Sequence, residues 1–101
     1  MNIVGSKFRV TFGITQAILH IQSETLINFT ITQKDGEVVD TTEAVTVKMT
    51  ELRPLLYMVT WQESNGTTVT QVHDYEKGTI YSNWTTATGE FKNLQGMLEQ
   101  I

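Results

Sequence analysis

Residues 55–84 read LLYMVTWQESNGTTVTQVHDYEKGTIYSNW, and this stretch decides the fold. Apolar and polar residues alternate along it with a period of two, which is typical of β-strands that have one buried face. Two loops ending in glycine, 64–66 and 76–78, interrupt the alternation. Each suits a three-residue hairpin loop whose last residue adopts the left-handed conformation. The stretch therefore predicts three antiparallel strands, at 55–63, 67–75 and 79–86.

Loops of this kind determine which residues of neighbouring strands face each other. The first loop places Glu63 opposite Thr67, and the second places Tyr75 opposite Thr79. A third glycine-ended loop at 87–89 leads into a further strand at 90–99. Counting outward from the three loops predicts two rows of side chains, Tyr57–His73–Tyr81–Gln95 and Val59–Gln71–Asn83–Asn93.

The first half of the chain shows the same alternation. Strands are predicted at 6–12, 15–22, 24–32 and 37–52, with a type II′ turn at Gly13 and a bulge at 40–43. Pro54 ends the fourth strand, because proline cannot donate a ladder hydrogen bond. Eight consecutive strands joined by short turns predict an all-β protein, an eight-stranded antiparallel up-and-down β-barrel that forms a single domain over 1–101.

Charge distinguishes the inner face from the outer face on the last four strands. One face carries Asp74 and Lys92 in the middle of strands, and an ionised group inside a small barrel is costly. The other face has charges only at strand ends, on Glu63 and Glu99. At the rims of the barrel, Glu51 and Glu63 have inward parity but end strands, so we expect them to be solvated. We therefore predict that this second face points inward. It presents eight candidate ligand-binding residues: Tyr57, Trp61, Gln71, His73, Tyr81, Asn83, Asn93 and Gln95.

These polar groups suggest a pocket. Two rows of amides, an imidazole and two phenols carry more donors and acceptors than a dry core of this size readily satisfies. A barrel of eight strands has room for one small ligand, so we predict that the protein binds a small amphiphilic or aromatic molecule without being an enzyme. The alternative for these groups is that they hydrogen-bond one another in a closed core.

Two further functions stay open. A small lyase-like or isomerase-like enzyme would use His73 as a general acid or base with Tyr57 and Tyr81, which makes His73 the one candidate catalytic residue. A domain without a ligand would act through its surface, as a homodimer formed by side chains predicted to be exposed. Those side chains are Met58, Ile80 and Trp84.

Composition excludes several classes of function. The net charge is -4, and no basic cluster is present, which argues against binding to nucleic acid. The chain has no cysteine, and with His20 predicted to face outward we expect no metal site and no cofactor. No apolar run is long enough for a signal peptide or a membrane-spanning helix. A cytoplasmic location, with no membrane partner, is the expectation.

Three motifs resemble those of the MoaF-like domains: ELRP at 51–54, YMVTWQE at 57–63 and GTIY at 78–81. The resemblance runs from residue 5 to the end of the chain. It implies an eight-stranded barrel of the calycin (lipocalin-like) superfamily, with a central cavity and, for most members, no established biochemical activity. Phenolic acid decarboxylases share that barrel and use paired tyrosines, an arginine and a glutamate. Tyr57 and Tyr81 could stand for the tyrosines, but the arginine has no counterpart, since Arg9 is predicted to face outward and Arg53 lies in a loop.

Overall fold

The computed structural model describes residues 3–101, which fold into nine antiparallel strands. The strands are β1 (Lys7–Phe12), β2 (Thr15–Ile21), β3 (Leu26–Lys34), β4 (Glu37–Thr46), β5 (Lys48–Arg53), β6 (Leu56–Gln62), β7 (Thr68–Asp74), β8 (Thr79–Thr85) and β9 (Phe91–Gln100). They form one sheet in the order β4-β3-β2-β1-β9-β8-β7-β6-β5. The all-β prediction is confirmed, whereas the predicted number of eight strands is wrong.

The extra strand arises because the predicted strand at 37–52 divides at Val47. Its first half, β4, pairs with β3, and its second half, β5, pairs with β6. The Val47 N–H leaves both ladders and donates to the carbonyl oxygen of Thr25 at 2.9 Å. The two halves are the edge strands of the sheet, so the sheet curls into an open barrel and not the closed one predicted. We call the gap between its two edges the seam.

Short turns set the register of the first half as predicted. Phe12 pairs with Thr15 and Phe8 with Leu19 across Gly13, whose φ of 58° lies in the left-handed region. Because apolar residues alternate on β1 to β3, this pairing collects their apolar side chains on one face. Phe8, Leu19 and Ile27 are buried there. The pairing of β3 with β4 shifts between Ile31 and Gln33, which face Thr41 and Val38, in a segment that overlaps the predicted bulge.

The loops at 64–66 and 87–89 also form as predicted. The Glu63 N–H donates to the Thr67 carbonyl oxygen at 2.7 Å, and Thr86 pairs in the same way with Glu90 at 2.8 Å. Tyr57 consequently faces His73, and Val59 faces Gln71. This part of the predicted register is confirmed.

The loop between β7 and β8 differs from the prediction by one residue. Asp74 pairs with Thr79, so the loop contains four residues, 75–78, and not three. Asp74 holds this loop together: its Oδ1 atom accepts hydrogen bonds from the backbone N–H groups of Glu76 at 3.1 Å and Lys77 at 2.9 Å. Its carbonyl oxygen accepts from the Gly78 N–H at 2.8 Å. An acceptor side chain just before a turn stabilises this longer loop.

One additional loop residue moves every side chain of β8 to the opposite face. His73 faces Ile80 and Gln71 faces Ser82, in place of the predicted Tyr81 and Asn83. The predicted pairing of β8 with β9 is retained, so β9 inverts together with β8. The inward placement of four predicted residues is therefore wrong: Tyr81, Asn83, Asn93 and Gln95 lie on the outer surface. The inner face carries Ile80, Ser82, Trp84, Leu94, Gly96 and Leu98 instead.

This inversion also removes the predicted exposed patch. Ile80 is only 1% exposed, whereas Tyr81 is 46% exposed. Met58 is half-buried, and Trp84 lies on the inner face. Among residues 3–101, no helix is long and apolar enough to cross a membrane.

Candidate functional site

The interior of the open barrel contains a cavity of about 480 Å³. Its walls come from both halves of the chain, and they are largely apolar. β1 to β4 contribute an aliphatic and phenylalanine wall, and β6 to β9 contribute both tryptophans, Gln71 and Ser82. At one end of the barrel the lining residues lie at strand ends and turns, among them Thr15, Glu63 and Thr86, and we call this end the mouth.

Aromatic side chains line two sides of the cavity. The rings of Phe29 and Trp61 lie 5.2 Å apart and are tilted by 40°. Trp61 and Trp84 both face Val69, from the strands on either side of β7. Alternation places these rings inward, because each follows a buried residue by two positions. The cavity thus offers flat, polarisable surfaces for an aromatic or alkyl group.

A chain of hydrogen bonds runs behind the polar part of the wall. The Gln71 Nε2 atom donates to Ser82 Oγ at 3.2 Å, and Gln71 Oε1 lies 2.8 Å from His73 Nε2. Since an amide oxygen only accepts, Nε2 of His73 carries the proton. His73 Nδ1 then accepts from the Tyr75 hydroxyl at 2.9 Å. The chain ends at Ser82, whose hydroxyl group can donate a hydrogen bond to a molecule in the cavity.

His73 lies at the closed end of the barrel, behind the cavity wall. It is fully buried, and burial lowers its pKa from 6.5 to about 4, so the imidazole is neutral at pH 7. Tyr75 packs against its ring edge-on, with centroids 5.8 Å apart, and against Phe8 at 4.6 Å. Burial also raises the pKa of Tyr75, with a smaller contribution from Tyr57. An aromatic cluster with a neutral histidine therefore closes this end.

The mouth, in contrast, carries two carboxylates that line the cavity. Glu43 lies on β4 directly opposite Phe29, and Glu63 follows β6, so they flank the seam. Burial raises the pKa of Glu63, and the charge of Glu43 raises it further. The buried Trp61 Nε1–H lies beside the Glu63 carboxyl group and partly offsets the rise.

The structure brings together four of the eight candidate residues. Trp61 and Gln71 line the cavity, and Tyr57 and His73 lie inside the barrel at its closed end. Ser82, Trp84 and Glu43 line the cavity without having been predicted to do so. An aspartate immediately before the 75–78 loop was the signal for the longer loop, and hence for the inward side of β8.

The set proposed for catalysis is not assembled. Tyr81 lies on the outer surface, and the phenol that contacts His73 belongs to Tyr75. In the described part of the chain, no three histidine, aspartate or glutamate side chains are close enough together to hold a metal ion.

Comparison with known proteins agrees with this architecture. The fold matches the crystal structure of a putative beta-lactamase from Burkholderia vietnamiensis with a TM-score of 0.87 and 24% sequence identity, over 100% of this chain and 97% of that one. At this identity the likeness shows the fold alone. No curated protein matches the chain. The model of the MoaF-like family matches residues 4–99, and the chain therefore belongs to the MoaF-like family.

Proposed function

We propose that the protein binds a small, partly aromatic or amphiphilic molecule inside the open barrel. The observation that carries this proposal is the cavity of about 480 Å³, which falls in the usual size range of small-molecule sites, roughly 300–1,000 Å³. Its lining has the usual composition of such sites, with apolar walls and a small number of polar groups.

The contacts support a division of roles among the lining residues. Phe29, Trp61 and Trp84 offer ring faces to the apolar part of the ligand. Ser82, held in place by Gln71, offers a hydroxyl hydrogen to an acceptor on the ligand. Gln71 and His73 hydrogen-bond to each other, so neither side chain requires a ligand as its hydrogen-bond partner.

The other functions considered gain no support from this geometry. An enzyme using His73 with Tyr57 and Tyr81 lacks the inward Tyr81, and His73 lies behind the cavity wall. A homodimer through Ile80 and Trp84 would need side chains that the barrel encloses. The calycin assignment belongs to the proposal as well, supported by the single meandering sheet that curls around a central cavity.

Filling the cavity should abolish binding. Ala17 lies on the cavity wall, and the next residue along β2, Ile18, alternates to the outer side. The neutral fluorescent probe N-phenyl-1-naphthylamine should bind the wild-type protein, and Ala17→Trp should weaken that binding about tenfold or more. Fluorescence titration measures both affinities, with far-ultraviolet circular dichroism confirming that the variant is folded.

Ile18→Trp is the matched control and should bind the probe like the wild type. Native mass spectrometry of the purified protein adds a direct search for a retained ligand. A wild-type protein that binds no probe and retains no ligand would contradict the proposal, as would equal affinities for the Ala17→Trp and Ile18→Trp variants.

A further inference from the structure

The mouth of the cavity is negatively charged on the side of the seam. Glu43 and Glu63 both line the cavity, and no lysine, arginine or histidine is among the lining residues that the structure describes. Glu43 shares the inner face with Phe29 and Val45, and Glu63 shares it with Trp61. The two carboxylates therefore border the apolar space itself.

Within residues 3–101, no salt bridge neutralises either carboxylate. The salt bridges found within residues 3–101 join Arg9 to Glu99 and Arg53 to Asp74 and Glu76, all on the outside of the barrel. Lys92, at the start of β9, places its Nζ atom 5.3 Å from the Trp84 ring centroid and forms no salt bridge. Glu63 is half-buried and Glu43 is exposed near it, and a cation that approaches both would relieve the repulsion between their charges.

One more feature of the same wall points to a cationic ligand. The aromatic rings of Phe29 and Trp61 lie next to the carboxylates, and ring faces attract cations.

From these observations we infer that the ligand is an organic cation: an aromatic or alkyl amine with its apolar part in the cavity and its ammonium group at the mouth, between Glu43 and Glu63. This inference rests on the proposed function and adds the charge of the ligand to it. The apolar walls supply affinity, and the carboxylates distinguish a cation from a neutral or anionic molecule of the same shape.

Three probes with the same apolar part test the inference: 4-phenylbutylamine, 4-phenylbutanol and 5-phenylpentanoate. Isothermal titration calorimetry is carried out at mildly alkaline pH, where the carboxylates are ionised and the amine is protonated. The amine should bind about tenfold more tightly than the alcohol, and the pentanoate most weakly. Glu63→Gln should lower the affinity for the amine about fivefold, and the Glu43→Gln/Glu63→Gln double variant should remove its advantage over the alcohol.

One control variant carries the same charge change elsewhere. Glu51→Gln removes an exposed carboxylate opposite Tyr57, at the closed end of the barrel, and should leave the order of affinities unchanged. If the alcohol binds as tightly as the amine, or if the preference persists in the double variant, the inference of a cationic ligand is overturned while the cavity proposal stands. If none of the three probes binds, the inference of a cationic ligand is overturned, and the cavity proposal is decided by the binding of N-phenyl-1-naphthylamine.

Discussion

Lowering the pH from 6.5 to 4 should remove about 3 kcal/mol of folding free energy through His73 alone. The pKa of His73 is 6.5 in the unfolded chain and about 4 in the folded protein. Between these values the unfolded state binds a proton that the folded state excludes. Stability from His73 is therefore fully present above pH 6.5, falls by about 1.4 kcal/mol for each pH unit below it, and reaches its minimum below pH 4.

Urea unfolding at a series of pH values measures this effect. The comparison is with His73→Gln, which does not titrate. Other groups, Glu63 among them, titrate in both proteins and cancel in the difference. The variant should be less stable at neutral pH, because it disrupts the hydrogen bonds to Tyr75 and Gln71. The difference in free energy of unfolding between the two proteins should decrease as the pH falls. His20→Gln controls for loss of a histidine as such. A difference in free energy of unfolding between wild type and His73→Gln that does not change with pH would contradict the lowered pKa of His73.

Substituting Gly96 should lower the free energy of unfolding by nearly as much as acidification does through His73. Gly96 lies on the inner face of β9, and a Cβ atom there would collide with the carbonyl oxygen of Thr11 and lie 2.6 Å from the Phe12 ring. A backbone atom cannot move aside as a flexible side chain can, so we expect Gly96→Ala to destabilise the protein by about 2–3 kcal/mol. Urea unfolding at neutral pH measures the loss.

Gln95→Ala is the control, since Gln95 is exposed on the same strand; its effect should stay within about 0.5 kcal/mol. Because Phe12 also lines the cavity, Gly96→Ala should weaken binding of N-phenyl-1-naphthylamine as well. Unchanged stability in Gly96→Ala would show that β1 and β9 can separate more easily than their close contact implies.

The sequence predicts the register wherever a glycine loop alone determines the turn. Gly13, Gly66 and Gly89 occupy such turns, and their flanking strands pair as the residue count requires. Gly78 also has a positive φ, of 70°, but Asp74 accepts from two backbone N–H groups and lengthens that loop by one residue. Counting loop residues from the position of the glycine therefore gives the wrong loop length. Hydrogen bonds from the turn to a side chain select between loops of three and four residues.

One misplaced residue accounts for the errors in the predicted site. Tyr57, Trp61, Gln71 and His73 precede the 75–78 loop and lie inside the barrel as expected. The four that follow it lie outside because side-chain direction alternates with every residue. The position of Asp74 identifies the inner face of β7 correctly, but the wrong register then assigns the opposite faces of β8 and β9 to the interior. Asp74 lies on the outer face yet is only 7% exposed, and the backbone N–H groups of the 75–78 loop together with Arg53 at 3.9 Å stabilise its charge.

The ninth strand and the open barrel were missed for a different reason. The chain at 37–52 alternates without interruption, and nothing in its composition marks Val47 as the point where the partner strand changes. Which neighbours a strand pairs with depends on how far the whole sheet curls, and local periodicity does not report curvature.

The seam at Val47 also bears on selectivity. Because no ladder hydrogen bonds join β4 to β5, the two edges can move apart while β4 stays paired with β3, β5 stays paired with β6, and the Val47 N–H stays bonded to Thr25. A closed barrel would have to lose several such bonds to admit a wider guest. The cavity can thus admit molecules of different widths, and its shape alone discriminates only weakly between them. Selectivity then depends on groups that act without close contact, such as the carboxylates of Glu43 and Glu63 beside the seam.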